Sequence, residues 1–434
     1  MLAKTSFTDQ DLENYLKLSN NPETRIAIEN FKAIQGNFND SNIQIKYVAV
    51  VVPSISPKLS YVANSILKGV ALKQQQYNND HDHQRVVMVM ANDANDEKLG
   101  QDIAEKLASK KDIFAIIGHY SSKVTLAVVK IYNDHEKVLV SATATSDKLS
   151  GKKTKFFFRV VPSTTIAAKD MVQNWVDKDK KIVLIFNKND AFSNSLAQQF
   201  REEIKGIEKT NKWNIAIREI DVHGLIFKDV VRKMEEIKND IYFNSIALFA
   251  DAYTGSTEEN EIFPKIIEKN NNELPILANT SIYDLYAAVN ISKDLKEDKE
   301  LNYGSAKLYT KVVMSLPWDH SDKNHRFPNL SIQKNHEKLP NLPEWLVQNS
   351  QPDTLNQRTA FAYDATSVVL KALDSAKNAS DIQRKLTDNF SRKGVKGITG
   401  MIKFKDGDRN EQMNSLITPC NENDCHGFKP YKRK

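Results

Sequence analysis

Hydrophobic positions along the chain come in two kinds of run that take turns. Unbroken apolar stretches alternate with segments in which apolar residues recur every three or four positions. Tyr47–Val52 is the first unbroken stretch, followed by Val62, Ile66 and Val70 at helical spacing. Val86–Met90 precedes Leu99, Ile103 and Leu107; Ile113–Ile117 precedes Val124, Val128 and Ile131; Val138–Val140 closes the series. Unbroken runs suit strands buried on both faces, and their alternation with helices predicts βαβ units in a parallel sheet. The rhythm stops at Phe156–Pro162 and restarts with Ile182–Phe186, then Leu196, Phe200 and Ile204, and continues through Ile246–Ala250 to Pro275–Ala278. The pattern therefore predicts an α/β protein of two doubly wound parallel-sheet lobes, joined at a proline-containing hinge.

The flanks differ. Residues 1–45 read as a short N-terminal helical extension, with Thr8 as a cap and Asp9 and Asp11 in the first turn. Residues 317–357 are polar and carry Pro317, Pro328, Pro340, Pro343 and Pro352, which predicts an irregular surface excursion; Arg358–Ala376 returns to helical spacing. The expected division is 1–45 extension, 46–160 plus about 311–400 lobe one, and 161–310 plus about 401–434 lobe two.

Charge narrows the partners. Lys and Arg total 61 against 55 Asp and Glu, an excess of +6 spread along the chain, and only Lys429–Lys434 forms a basic run. No basic recognition helix stands at the N-terminus, so no nucleic-acid partner is expected. No stretch approaches the roughly 20 apolar residues of a membrane-spanning helix. The first residues also lack the apolar core of a signal peptide, so either the protein is cytoplasmic or a targeting or anchor segment lies upstream of residue 1. Cys420 and Cys425 are equally compatible with a small disulfide loop and with two thiols. With His426 they fall short of the four ligands of a structural zinc site, and neither metal nor cofactor is expected.

In an open parallel sheet, ligands bind beyond the carboxyl ends of the strands. The segments there are rich in small hydroxyl residues, notably Gly118-His119-Tyr120-Ser121-Ser122 and Ser141-Ala142-Thr143-Ala144-Thr145-Ser146. Ser121 and Ser122 open a helix, where backbone N–H groups and a partial positive charge suit a carboxylate. Taken alone, the residues fit an ordinary N-cap at least as well. Enzyme readings find little. No GxGxxG follows the first strand, and neither GxxxxGK[ST] nor GxSxG occurs. His81-Asp82-His83 lies in a polar loop and reads as exposed, and His119 has no nucleophile that the sequence places beside it.

The segments Ile117–Ser122 and Val140–Thr145, with Phe158–Pro162, Asp190–Ala197, Arg358–Ala365 and the turn from Gly400 to Arg409, occur in the order and spacing of a known family. From about residue 46 to its end the chain resembles the type I periplasmic solute-binding proteins, in particular the branched-chain amino-acid receptors of ABC transporters. The resemblance implies a Venus-flytrap fold crossed three times between lobes and closing on a ligand. It implies that Ser122 holds an α-carboxylate, and that the Ala144 carbonyl and Thr145 hydroxyl hold an α-amino group; Ser121 beside Ser122 is a further candidate ligand contact. Phe192 would cover the ligand. The family's second-lobe acid is absent from the matching stretch Ala278–Tyr283; Asp251 is the candidate substitute, and Tyr283 a neighbouring candidate contact. The expected function is a non-enzymatic, extracytoplasmic receptor domain. It would capture a small polar, amino-acid-like solute for an ABC permease or a membrane-anchored signalling protein. An effector domain of a cytoplasmic regulator, or an enzyme on the same fold, is the alternative.

Overall fold

The β-branched runs that head each unit form strands because their side chains pack on both faces of a pleated sheet. In the computed structural model, which describes residues 21–56, 59–151, 154–240, 242–252, 258–283, 311–318, 356–410, 414–419 and 428–433, those runs build two sheets. The Thr8 helix start, most of the 317–357 excursion, and Cys420 and Cys425 lie outside the described residues.

The first sheet contains β1 (Gln44–Val52), β2 (Gln84–Asn92), β3 (Ile113–Ile117), β4 (Val138–Ser141) and β5 (Phe157–Arg159), parallel in the order 2-1-3-4-5. The second repeats that order with β6 (Lys181–Phe186), β7 (Ala216–Asp221), β8 (Ser245–Phe249), β9 (Ile276–Ala278) and β10 (Val312–Leu316), arranged 7-6-8-9-10. α1 (Pro22–Asn39) precedes β1, and between strands run α2 (Ser60–Asp80), α3 (Glu97–Ala108), α4 (Ser122–Asp134), α5 (Thr164–Trp175) and α6 (Ala191–Asn211). Then come α7 (Phe227–Asp240), α8 (Glu258–Asn270) and α9 (Gln357–Leu373). The two-lobe α/β architecture expected from the hydrophobic pattern is the one observed.

Two pairings depart from the expected division. Val312–Leu316 was assigned to lobe one, yet β10 pairs parallel with β9, and Val312, Met314 and Leu316 are buried in lobe two's core. The expected division gives lobe two the residues from about 401, yet β12 (Gly400–Lys405) and β13 (Asp408–Asn410) join β11 (Val395–Gly397), which falls in lobe one as expected, in extending the first sheet. There Phe404 meets Phe158 edge-on with ring centroids 5.3 Å apart. Only β14 (Ser415–Pro419) and β15 (Phe428–Pro430) return to the second sheet. Apolar periodicity marks a strand but not its partner, so these switches are invisible locally. With the crossing after β5, they make three passages between the lobes.

The N-terminal extension is also more integrated than a polar appendage. Its helix α1 buries Ile26 and Ile28, and the Asn30 side chain donates to the Met88 carbonyl and accepts from the Met88 N–H, both at 2.8 Å. The amide thus acts as a strand partner for the outer edge of β2, protecting an edge that would otherwise expose backbone groups.

Candidate functional site

Both lobes aim the carboxyl ends of their strands at a shared cavity of about 70 Å³. The order 2-1-3-4-5 reverses between the first and third strands, and openings at such switch points are where these sheets bind ligands. Lobe one contributes Tyr120, Ser121 and Ser122 after β3, and Ala142, Thr143 and Thr145 after β4. Lobe two contributes Phe192 from α6, Ala252 after β8, and Thr280 and Ser281 after β9. Gln357, Arg358 and Phe361, from the first turns of α9, close the space. A buried cavity of roughly 150 Å³ admits benzene, so a larger solute requires the lobes to stand further apart than they do here.

The lobe-one wall is held by its own hydroxyls. Ser121 is the N-cap of α4, accepting from the Val124 N–H at 3.3 Å. Ser122 does something else: its Oγ accepts the N–H groups of Thr145 and Ser146, each at 3.1 Å. A serine hydroxyl has two acceptor lone pairs and one donor, so these bonds use the acceptors and leave the proton to donate. The Thr143 hydroxyl donates to the Tyr120 carbonyl at 2.6 Å, and Ser141 Oγ accepts from the Ala144 N–H at 3.0 Å. Beneath them, buried Arg159 donates to the Ser146 carbonyl at 2.7 Å and to Asp408 at 2.7 Å, and also bonds Ser150. Gly118 is required where the loop begins: its φ is +142°, and a Cβ would stand 2.6 Å from the Val51 carbonyl oxygen.

In the lobe-two wall a carboxylate gathers three backbone N–H groups, and the Asn279 amide donates to the Ala250 carbonyl at 2.6 Å. Asp190 caps α6, its Oδ1 accepting from the N–H groups of Phe192 (3.0 Å), Ser193 (2.7 Å) and, across the loop, Ala252 (3.4 Å). Burial pushes its pKa above the usual carboxylate value, against the pull of those N–H donors.

Among the described residues, hydrogen bonds at three places join the lobes here. The Tyr120 hydroxyl donates to the Ala252 carbonyl at 2.7 Å, and the Gln357 amide donates to Thr280 Oγ1 at 2.5 Å. Beside the cleft, the Asp147 carboxylate accepts from Ser195 Oγ at 2.5 Å and from Gln199 Nε2 at 3.0 Å.

Of the candidates, Ser121, Ser122, Thr145 and Phe192 meet at the cavity. Ala144, Asp251 and Tyr283 are not among the described residues that line it. The Ala144 carbonyl lies 3.5 Å from Arg159 Nη1, Asp251 Oδ2 accepts from Asn187 Nδ2 at 2.9 Å, and Tyr283 packs in lobe two's apolar core. The structure adds Tyr120, Thr280, Gln357 and Arg358, which sequence reasoning did not single out. Tyr120 was legible as the neighbour of the serine pair. Gln357 and Arg358 come from far along the chain, where nothing local points to a cleft. Arg358 is buried, with its guanidinium 5.8 Å from the Tyr61 ring centroid and 5.9 Å from that of Tyr120, within cation–π range. It carries the only formal charge among the described lining residues.

His119 does find a partner. Its Nδ1 lies 2.7 Å from Asp93 Oδ2 and its Nε2 3.2 Å from the Tyr132 hydroxyl, with the His119 and Asp93 side chains both fully buried. Neither ring nitrogen faces a nucleophile, and the trio braces the loop from behind. Among the described residues, no cluster suits a metal ion and no helix is long and apolar enough to cross a membrane.

Comparison with known proteins agrees with this geometry. Residues 47–246 match the family described as periplasmic binding protein. An amino acid binding protein of Pseudomonas aeruginosa is 23% identical over 150 residues, 33% of this chain and 40% of that protein's length. The fold superposes on an ABC transporter substrate-binding protein from Desulfitobacterium hafniense in complex with leucine, with a TM-score of 0.64, 18% identity, and coverage of 89% of this chain and all (100%) of that one. It also matches a solute-binding protein of an ABC transporter from Rhodopseudomonas palustris BisB5 in complex with 3,4-dihydroxybenzoic acid, with a TM-score of 0.62, 13% identity, and coverage of 90% of this chain and 96% of that one. Hydroxyl-lined strand ends, two lobes of one topology and three crossings between them all belong to a single design: the chain has the type I periplasmic binding protein fold, and residues 47–246 carry the match to that family.

Proposed function

We propose that this chain is an extracytoplasmic receptor that captures a small solute bearing a carboxylate by closing its two lobes, and that it catalyses no reaction. The observation that carries this reading is the Ser122 hydroxyl. Two backbone N–H groups fix it from one side, and its remaining proton is available to an acceptor in the cavity. The start of α4 and the guanidinium of Arg358 favour the same negative group. At the other end, Gln357 is buried, gives its amide N–H to Thr280, and has a carbonyl oxygen with no protein donor among the described residues. A buried acceptor without a donor is costly, so a ligand N–H or O–H completes the site. Amino acids offer both groups and are the first class to test; the ammonium would then meet Gln357, with the buried Asp251 behind the wall.

Closure follows from differential affinity: the solute docks on the lobe-one loops and stabilises the state in which Phe192 and Ala252 cover it. An ABC permease or a membrane-anchored signalling protein would read the closed form. The test is calorimetry of ligand-free protein against the amino acids and against small aromatic carboxylates, with small-angle scattering to follow closure. Binding that shrinks the radius of gyration and fails in Ser122→Ala is expected. No heat from any carboxylate would overturn the reading.

A further inference from the structure

A second cavity lies in lobe one and shares no lining residue with the cleft. It opens between the C-terminal halves of α2 and α9 and the segment 389–396. Along α9, Asp374 in this cavity stands sixteen residues from Arg358 in the cleft, about 24 Å at a helical rise of about 1.5 Å per residue. Its volume is about 840 Å³, in the range of sites for whole small molecules, roughly 300–1,000 Å³.

Its lining has two parts. Rings form one. Tyr77 and His81 are stacked, with centroids 3.9 Å apart and planes inclined by 22°, and Tyr363 and Phe390 lie beside them. Cations form the other: Lys73, Lys371, Arg392, Lys393 and Lys396 all line the space. The opposing charge is Asp374 alone among the described lining residues, and it is already shared. It accepts from the Tyr77 hydroxyl at 2.9 Å and lies 3.4 Å from His81 Nε2 and 3.6 Å from Lys371 Nζ. Lys73 sits over the Tyr363 ring, 5.4 Å from its centroid. Four like charges therefore remain on a concave surface that focuses their field.

The segment carrying three of those cations is held in place by the fold. Gly394 has φ +71°, and a Cβ there would stand 2.8 Å from Met401 Sδ and 2.9 Å from Lys403 Cγ. The turn thereby presses against β12 and presents Arg392, Lys393 and Lys396 to the helices. A π-helical turn, Lys385–Asn389, leads into it, a feature that recurs at functional sites. Rings and excess positive charge lining one cavity match a molecule that carries both a planar ring and anionic groups.

We propose that this cavity is a second binding site, for a ring-bearing polyanion of the nucleoside phosphate class. ATP is the probe, titrated into the full chain at low salt with heat or fluorescence as the readout. Saturable one-to-one binding is expected, with adenosine and inorganic triphosphate each at least tenfold weaker, because each engages only the rings or only the cations. Lys393→Glu combined with Lys396→Glu exchanges two exposed side chains, so the melting temperature should hold while ATP affinity falls at least tenfold. Ser122→Ala, which acts on the cleft, should leave ATP affinity unchanged. Absence of saturation, triphosphate binding as tightly as ATP, a glutamate-rich peptide displacing ATP at lower concentration, or equal losses in the two variants would each overturn the proposal.

Discussion

The two lobes share one strand order but hold their cleft walls differently. Lobe one's wall is internally wired: Ser122, Ser141, Thr143 and Arg159 bond the backbone of the loops after β3 and β4, so its shape persists whatever lobe two does. Lobe two's wall is held by different groups: the Asp190 carboxylate sets the N–H groups of Phe192 and Ala252, the Asn279 amide donates to the Ala250 carbonyl, and the Ser193 hydroxyl donates to the Phe249 carbonyl. The contrast is one of chemistry. A pre-organised wall loses little freedom when a ligand docks, and lobe one is braced by hydroxyls and an arginine where lobe two uses a carboxylate, an amide and a hydroxyl.

If lobe one is pre-wired, its deepest support should matter most. Arg159→Ala leaves the Ser146 carbonyl without its buried donor and removes the partner of Asp408; breaking such a pair costs about 3–5 kcal/mol. Urea denaturation should show that loss, and a loss under about 1 kcal/mol would break the comparison, since surface pairs are worth only that. Next comes Ser122→Ala. It orphans the N–H groups of Thr145 and Ser146, at about 1–3 kcal/mol for an unsatisfied buried group, and should weaken ligand affinity at least tenfold. An unchanged affinity with lowered stability would reduce Ser122 to a brace.

Tyr120→Phe removes one bond between the lobes while leaving both walls intact. About 1 kcal/mol is expected from a neutral hydrogen bond, read as a severalfold weaker affinity with the melting temperature of the open form unchanged. The smallest effect is pH-dependent. Burial raises the Asp190 pKa above its unfolded value, so between the two values the folded protein binds more protons than the unfolded chain. This contribution is therefore largest below the unfolded pKa and declines as pH rises through the window up to the folded pKa. Melting curves from acid to neutral pH should show that decline, and Asp190→Asn, which keeps an acceptor oxygen at the cap, should flatten it.

Much of the fold was legible because buried parallel strands read as unbroken apolar runs, and those from Tyr47 to Ala278 became strands in both lobes. Part of the site was legible for a related reason. Ser121, Ser122 and Thr145 follow β3 and β4 directly, where the topology aims loops at the cleft. Ser121 proved to be the N-cap that the residues alone also allowed, while Ser122 bonds across to the neighbouring loop. Asp251, the strand-end candidate for the acid that the second-lobe loop lacks, bonds Asn187, and Tyr283, from that loop, packs in the apolar core.

The sequence by itself determined what local physics determines: which segments form strands and helices, where two repeats of one topology begin, and where hydroxyls gather at strand ends. Periodicity and capping act over a few residues, and a few residues suffice to read them. Only the tertiary structure decided that β10 pairs in lobe two and β12 in lobe one, and that Arg358 and Gln357 face Ser122 and Thr280. It also decided that Lys73 and Lys396 line a common cavity. Those choices join residues tens to hundreds of positions apart, and they are made by which apolar faces and backbone edges must be covered together.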